Sequence, residues 1–241
     1  MVNTFLICPN WILSAKILDR SRVWKQVVEA RQILQLIQDL KYLLVYSDRS
    51  FSNWDDIKQL TSEYKQSNTI FLRRKEEYIP VSRQDFNDGK YDYLLKPINS
   101  PESYKPVKLG FMYHPIVRMW WSFTEALKYY INIHIKECLN RGYDPNISQY
   151  YCNYNSLILE EQLTTCQLTD INYIPIPDEI TQPNWIFNPQ LYAIHRSNLK
   201  RKDAVYYANF VESPSNGYLY ELFFDPVFTD SKREELNFVF S

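Results

Sequence analysis

Apolar and polar positions alternate at helical spacing along three stretches of the chain, and these set the expected architecture. After an extended apolar start, MVNTFLIC, broken by Pro9 and Asn10, the pattern predicts a short helix from Ile12 to Leu18. A longer one follows from about Asp19, a good N-cap residue, to about Leu44. The longest uninterrupted signal lies between Gly110 and Gly142. His114-Pro115 opens it, since proline is tolerated where its missing N–H has no partner, and Gly142 closes it. Ile116, Met119, Trp120, Phe123, Leu127, Tyr130, Ile131, His134 and Cys138 form its apolar side. Arg118, Ser122, Glu125, Asn132 and Lys136 form the other, to be read as a solvated face or as one wall of a cleft. Asn188-Pro189 opens a third helix, which carries His195 through Asp203.

Between these helices the periodicity changes. From 46 to 108, runs at 68–74, 78–83 and 90–95 alternate like strands, and Asn87-Asp88-Gly89 reads as a turn between two of them. Arg73, Arg74 and Lys75 form a basic cluster answered at once by Glu76 and Glu77. A tyrosine-rich, proline-broken stretch, with one helix expected at 156–166, fills the region before Trp185. The tail from Gly217 reads as an aromatic strap. The expected fold is mainly α: a compact three-helix core in a single domain, 1–241, with a small β-containing insertion at 46–108 and an irregular second insertion at about 146–187.

Composition narrows the chemistry. The chain has 241 residues, with 27 Lys plus Arg against 28 Asp plus Glu, so no global basic field announces a polyanionic partner and any anion site must be a local patch. Cys8, Cys138, Cys152 and Cys166 lack metal-ligand spacing and follow no leader, which implies reduced thiols in an intracellular protein rather than a secreted one. Apolar runs fall short of a membrane span. Two local features remain. Arg22, Lys25, Gln26 and Glu29 recur at i, i+3, i+4, i+7, one narrow stripe of the first long helix, to be read as a solvated face with a Lys25–Glu29 pair or, since Trp24 and the Ile33/Leu36 pair narrow the polar face, as a lined cleft. HRSNLKRKD, residues 195–203, is the densest basic run.

Three separated blocks carry a resemblance. NTFL with SAKILDRSRVWKQVVEARQIL, then HPIVRMW, then HRSNLKRKD followed by Tyr206-Tyr207, resemble the signature blocks of the pyrimidine-dimer DNA glycosylase family, of which the phage endonuclease V type is best known. KECLNRGYD resembles a helix end of the phage enzyme, and the RxxKQxxE and HPxxRMW spellings are those of bacterial relatives. The blocks cover roughly 90 residues in the family's order.

The resemblance implies a bifunctional glycosylase/AP lyase that needs neither metal nor cofactor and acts on DNA, taken here as duplex. It places the protein in a DNA-containing compartment and predicts no membrane contact and no particular oligomer. In the family the nucleophile is the α-amino group of the processed N-terminus, which forms a Schiff base at the sugar C1′. Such an amine, with a reference pKa of about 7.7 to 8.0 against about 10.4 for lysine, is substantially unprotonated near neutral pH. Val2 is small enough for Met1 removal, which makes the Val2 amine the candidate nucleophile; a retained Met1 would present its own. The phage enzyme has a catalytic glutamate directly after an arginine, whereas here Val23 follows Arg22. Glu29, which matches the bacterial block, is then the stand-in acid/base. Arg22, Lys25, Gln26, His114, Arg118, Arg196, Lys200 and Lys202 are the expected DNA contacts, with His134 and His195 assigned to packing. The departure at Val23 leaves two alternatives open: a non-catalytic DNA-binding relative, or a nucleic-acid enzyme of altered substrate.

Overall fold

The computed structural model describes residues 4–49, 53–96, 100, 102–144, 146, 176 and 180–214. Val2, Cys152, Cys166, the 156–166 helix, the aromatic tail and most of the 146–187 insertion lie outside them. The protein is mainly helical with a small antiparallel sheet. Its described residues divide into two compact units, one made of those up to Gln35 and from His114 to 214, the other of Leu36–Tyr113.

In the first unit α1 (Trp11–Ile17) is capped by Asn10, whose side chain accepts from the Leu13 amide. α2 (Arg20–Tyr46) opens on Asp19, whose carboxylate accepts from the Ser21 and Arg22 amides. The remaining long helices are α7 (Thr124–Asn140) and α8 (Pro189–Lys202), the latter capped by Asn188 with Pro189 at its first position. Trp11, Trp120, Tyr130 and Trp185 pack against one another at the centre, with ring centroids 4.9 to 6.3 Å apart. Arg141, one residue beyond α7, ties that helix to the C-terminus of α1 by donating to the carbonyls of Ala15, Lys16 and Leu18.

The expected single central helix is two. α6 (Pro115–Trp120) ends before Thr124 starts α7. In a continuous helix the Met119 carbonyl would accept from the Phe123 amide. Instead it accepts the Trp185 indole N–H at 2.8 Å, and Phe123 turns back to the Trp120 carbonyl at 3.0 Å. The polar side of the stretch is not uniformly wet either, since Asn132 is fully buried.

The second unit holds the C-terminal part of α2, then α3 (Trp54–Gln66), which the sequence reading missed. Its signature was a capping box, with the Asn53 side chain accepting from the Asp56 amide and the Asp56 carboxylate accepting from the Asn53 amide. β1 (Thr69–Arg74) and β2 (Glu77–Ser82) are two of the expected strands and pair as a hairpin, and β3 (Lys105–Pro106) adds to β1, giving the order β2-β1-β3. Residues 90–95 are not a strand. α4 (Arg83–Asn87) and α5 (Asp92–Leu95) flank Gly89, whose φ of 77° makes the turn between them. The basic cluster is neutralised within the unit: Arg73 pairs with buried Asp39, and Arg74 with Glu77 and Glu102.

Candidate active site and DNA-contact surface

The segment from Thr4 to Cys8 is buried yet belongs to no helix or sheet, so its backbone groups need side-chain partners. Five helices supply them. The Phe5 amide donates to Gln26 Oε1 of α2 at 2.6 Å, and the Phe5 carbonyl accepts from the Tyr130 hydroxyl of α7 at 3.1 Å. His195 of α8 places Nδ1 3.0 Å from both the amide and the carbonyl of Leu6. Ile7 donates to Ser14 Oγ of α1 at 3.1 Å, and its carbonyl accepts from Arg196 at 2.6 Å. The Trp120 indole of α6 donates to the Thr4 hydroxyl at 2.9 Å. This N-terminal strap is thus held residue by residue from Thr4 onward.

Charged groups gather beside it. Lys202, on the last turn of α8, holds its amine 5.0 Å above the Phe5 ring. Burial draws its pKa below the ordinary lysine range; Glu29 opposes that pull, and the cations Arg22, Arg201 and Lys25 add to it. Burial and the charge of Glu29 likewise push the Tyr130 hydroxyl well up. Glu29, half-buried on α2, is therefore an electrostatic neighbour of both Lys202 and Tyr130. Gln26 is fully buried; its oxygen also lies 2.9 Å from the Tyr130 hydroxyl, while its Nε2 has no hydrogen-bond partner among the described residues.

Arg22 is oriented by an ion pair with Asp19, and Asp19 also accepts from the Tyr207 hydroxyl at 2.8 Å. Burial alone would raise the Asp19 pKa, but hydrogen bonds from Arg22, Tyr207 and Ser21 outweigh it and hold the carboxyl at about 2. Tyr207 stands under the Arg22 guanidinium at 5.8 Å, so the Tyr206-Tyr207 pair of the C-terminal block reaches the Arg22 stripe through Asp19. Lys25 is exposed.

The expected DNA contacts therefore divide. Arg22, Lys25 and Lys202 share one electrostatic neighbourhood with Glu29. Arg196 instead pairs with Glu212 and the Ile7 carbonyl, and Lys200 donates to the Phe210 carbonyl, so both hold the 203–214 segment and the strap in place. His114 caps α6, accepting from the Ile116 amide at 3.2 Å, and burial lowers its pKa. Arg118 is half-buried on the same helix. Val23 is completely buried, so the position that follows Arg22 faces the core. His134 and His195 are fully buried, each with Nδ1 against a backbone carbonyl. The sequence reading missed Thr4, Trp120, Tyr130 and Asp19 as organisers of the site. Their partners lie more than a hundred residues away or in an unpaired strap, and neither leaves a periodic trace.

Among the described residues no group of His, Cys, Asp and Glu is placed to hold a metal ion, and no helix is long and apolar enough to cross a membrane. A search of curated proteins and one of solved structures each returned no match. A family model described as pyrimidine dimer DNA glycosylase matches residues 2–150, which takes in the strap, the Arg22 stripe and the helix opened by His114, and ends before the basic block of α8. The chain therefore belongs to the pyrimidine dimer DNA glycosylase family, with the DNA-repair function and DNA partner of that family.

Proposed function

We propose that this protein excises pyrimidine dimers from duplex DNA and cleaves the resulting abasic site through a Schiff base formed by its N-terminal amine, Val2 after loss of Met1. The observation that carries the reading is the strap. Val2 is two residues from Thr4, a reach of about 7 Å along extended chain, and the strap that begins at Thr4 lies beside the Glu29–Lys202 group. In this mechanism the amine adds to C1′ and the glycosidic bond breaks, the base leaving with the bonding pair and gaining a proton from water. Glu29 carries the amine's proton to O4′ as the ring opens to the imine. It then takes the C2′ proton in the β-elimination that expels the 3′ phosphate. Arg22, Lys25 and Lys202 face the flanking phosphates, with His114 and Arg118 as further backbone contacts. Gln26, Arg196 and Lys200 act through the strap and the segment that follows α8. Residues 46–108 are an insertion within this one functional domain.

Glu29→Gln tests the assignment. A general acid/base is worth about 10²- to 10⁴-fold in rate, so dimer excision should fall by that order while duplex binding persists. Excision at the parental rate would remove Glu29 from the mechanism. A second reading, DNA binding without excision, draws support from Val23, which replaces the phage-type glutamate and lies in the core. It requires the parental protein to bind dimer-containing duplex and release no base.

A further inference from the structure

The turn that follows α8 carries an apolar tip on a fixed frame. Val205 leaves 90% of its surface exposed and Tyr206 52%, whereas Tyr207 beside them is buried. A single exposed valine on a loop needs no explanation. Burial of this one would recover apolar stabilisation, yet the turn is pinned step by step in the arrangement that exposes it. The Asp203 carboxylate accepts the Tyr206 amide at 2.9 Å, the Asp203 carbonyl accepts the Tyr207 amide at 3.1 Å, and the Val205 carbonyl accepts the Ala208 amide at 3.4 Å. Further on, Lys200 donates to the Phe210 carbonyl and Arg196 pairs with Glu212. Cations of the same unit surround the tip. Arg201 and Lys202, both exposed, directly precede the turn. The Tyr206 ring meets the Tyr207 ring edge-on at 4.8 Å, and the Arg22 guanidinium stands 5.8 Å from the Tyr207 ring.

We propose that Val205 is a wedge that enters the base stack of the bound duplex, with Tyr206 behind it, and helps to open the stack at the damaged step. The DNA partner is that of the family; the coupling to excision rests on the function proposed above. Apolar side chains inserted between base steps unstack and kink the duplex, which lowers the cost of extruding a nucleotide. Valine suits the task because its branched β-carbon restricts its rotamers, so little side-chain freedom is lost on insertion. Arg22, Arg201 and Lys202 supply the positive charge that the phosphates beside an opened step require.

The probe is a duplex with one thymine dimer and 2-aminopurine at the adjacent step, compared with the same dimer in single-stranded DNA. Binding of the parental protein should raise the 2-aminopurine fluorescence. Val205→Ser should abolish that rise and lower the ratio of duplex to single-strand excision roughly tenfold or more, and Val205→Leu should preserve both. Because the side chain is exposed and meets bases rather than phosphates, Val205→Ser should keep the parental urea midpoint and the parental salt slope. A parental rise in Val205→Ser on saturated duplex, or no rise with the parental protein, would overturn the wedge. If the parental protein gives the rise, Val205→Ser loses it and neither releases a base, the wedge stands and the proposed chemistry fails.

Discussion

The carboxamide oxygen of Gln26 accepts the Phe5 amide at 2.6 Å, a bond that fastens the strap to the Arg22–Glu29 stripe of α2. The same oxygen lies 2.9 Å from the Tyr130 hydroxyl, so one fully buried side chain joins the strap, α2 and α7. Glu29 lies three residues further along the same helix, and its charge reaches Tyr130. The strap and Glu29 are therefore linked through one stretch of α2 and Tyr130.

Gln26→Leu removes the acceptor and leaves the Phe5 amide buried without a partner. Stability should fall by about 2 to 3 kcal/mol, the cost of an unsatisfied buried donor plus the lost bonds. Urea unfolding would show this as a lower midpoint at unchanged slope. A midpoint equal to the parental one would mean that the strap does not depend on this bond.

His134 and His195 are fully buried, and burial depresses both pKa values to about 4. The unfolded chain, with histidine near 6.5, binds these two protons first, so stability should be complete above about pH 6.5 and fall as pH drops toward 4. Each group can account for about 3 kcal/mol across that window. Asp19, held at about 2, adds a further loss only below about pH 4. Urea midpoints measured from pH 7.5 to 4.5 should decline, and His195→Gln should flatten the decline; a flat parental profile would contradict the burial of neutral imidazoles.

Much of this was legible in the chain. The caps at Asp19, His114 and Asn188, the strands at 69–74 and 77–82 and the mainly helical class follow from local pattern, because each depends on residues close to one another in the chain. The break at Trp121–Phe123 was not, because its cause is Trp185, an indole donor more than sixty residues away. Residues 54–66 were hidden by polar composition, although Ile57, Leu60, Thr61 and Tyr64 form a buried helical face. For the candidate site, the i, i+3, i+4, i+7 stripe lies on α2, where Gln26 holds the strap and Glu29 neighbours Lys202. Which cations of α8 meet it depends on the path of 203–214, whose contacts with Arg196 and Lys200 no spacing rule predicts.

The cations should separate in salt titrations. Each phosphate contact contributes about -0.9 to the slope of log affinity against log salt on duplex DNA. Lys25→Ala and Lys202→Ala should each flatten the slope by about that amount. Arg196→Ala should instead lower stability by about 2 kcal/mol, since it leaves the part-buried Glu212 carboxylate and the Ile7 carbonyl without their donor. Equal slope changes for Lys202 and Arg196 would place both on the DNA surface.

Borohydride reduction on duplex DNA with a single abasic site, followed by peptide mapping of the trapped adduct, addresses the central claim most directly. The adduct should lie on the α-amine of Val2, and a protein with an acetylated N-terminus should give none. An adduct on Lys202 or any other lysine, or undiminished trapping with the N-terminus blocked, would contradict the assignment of the nucleophile.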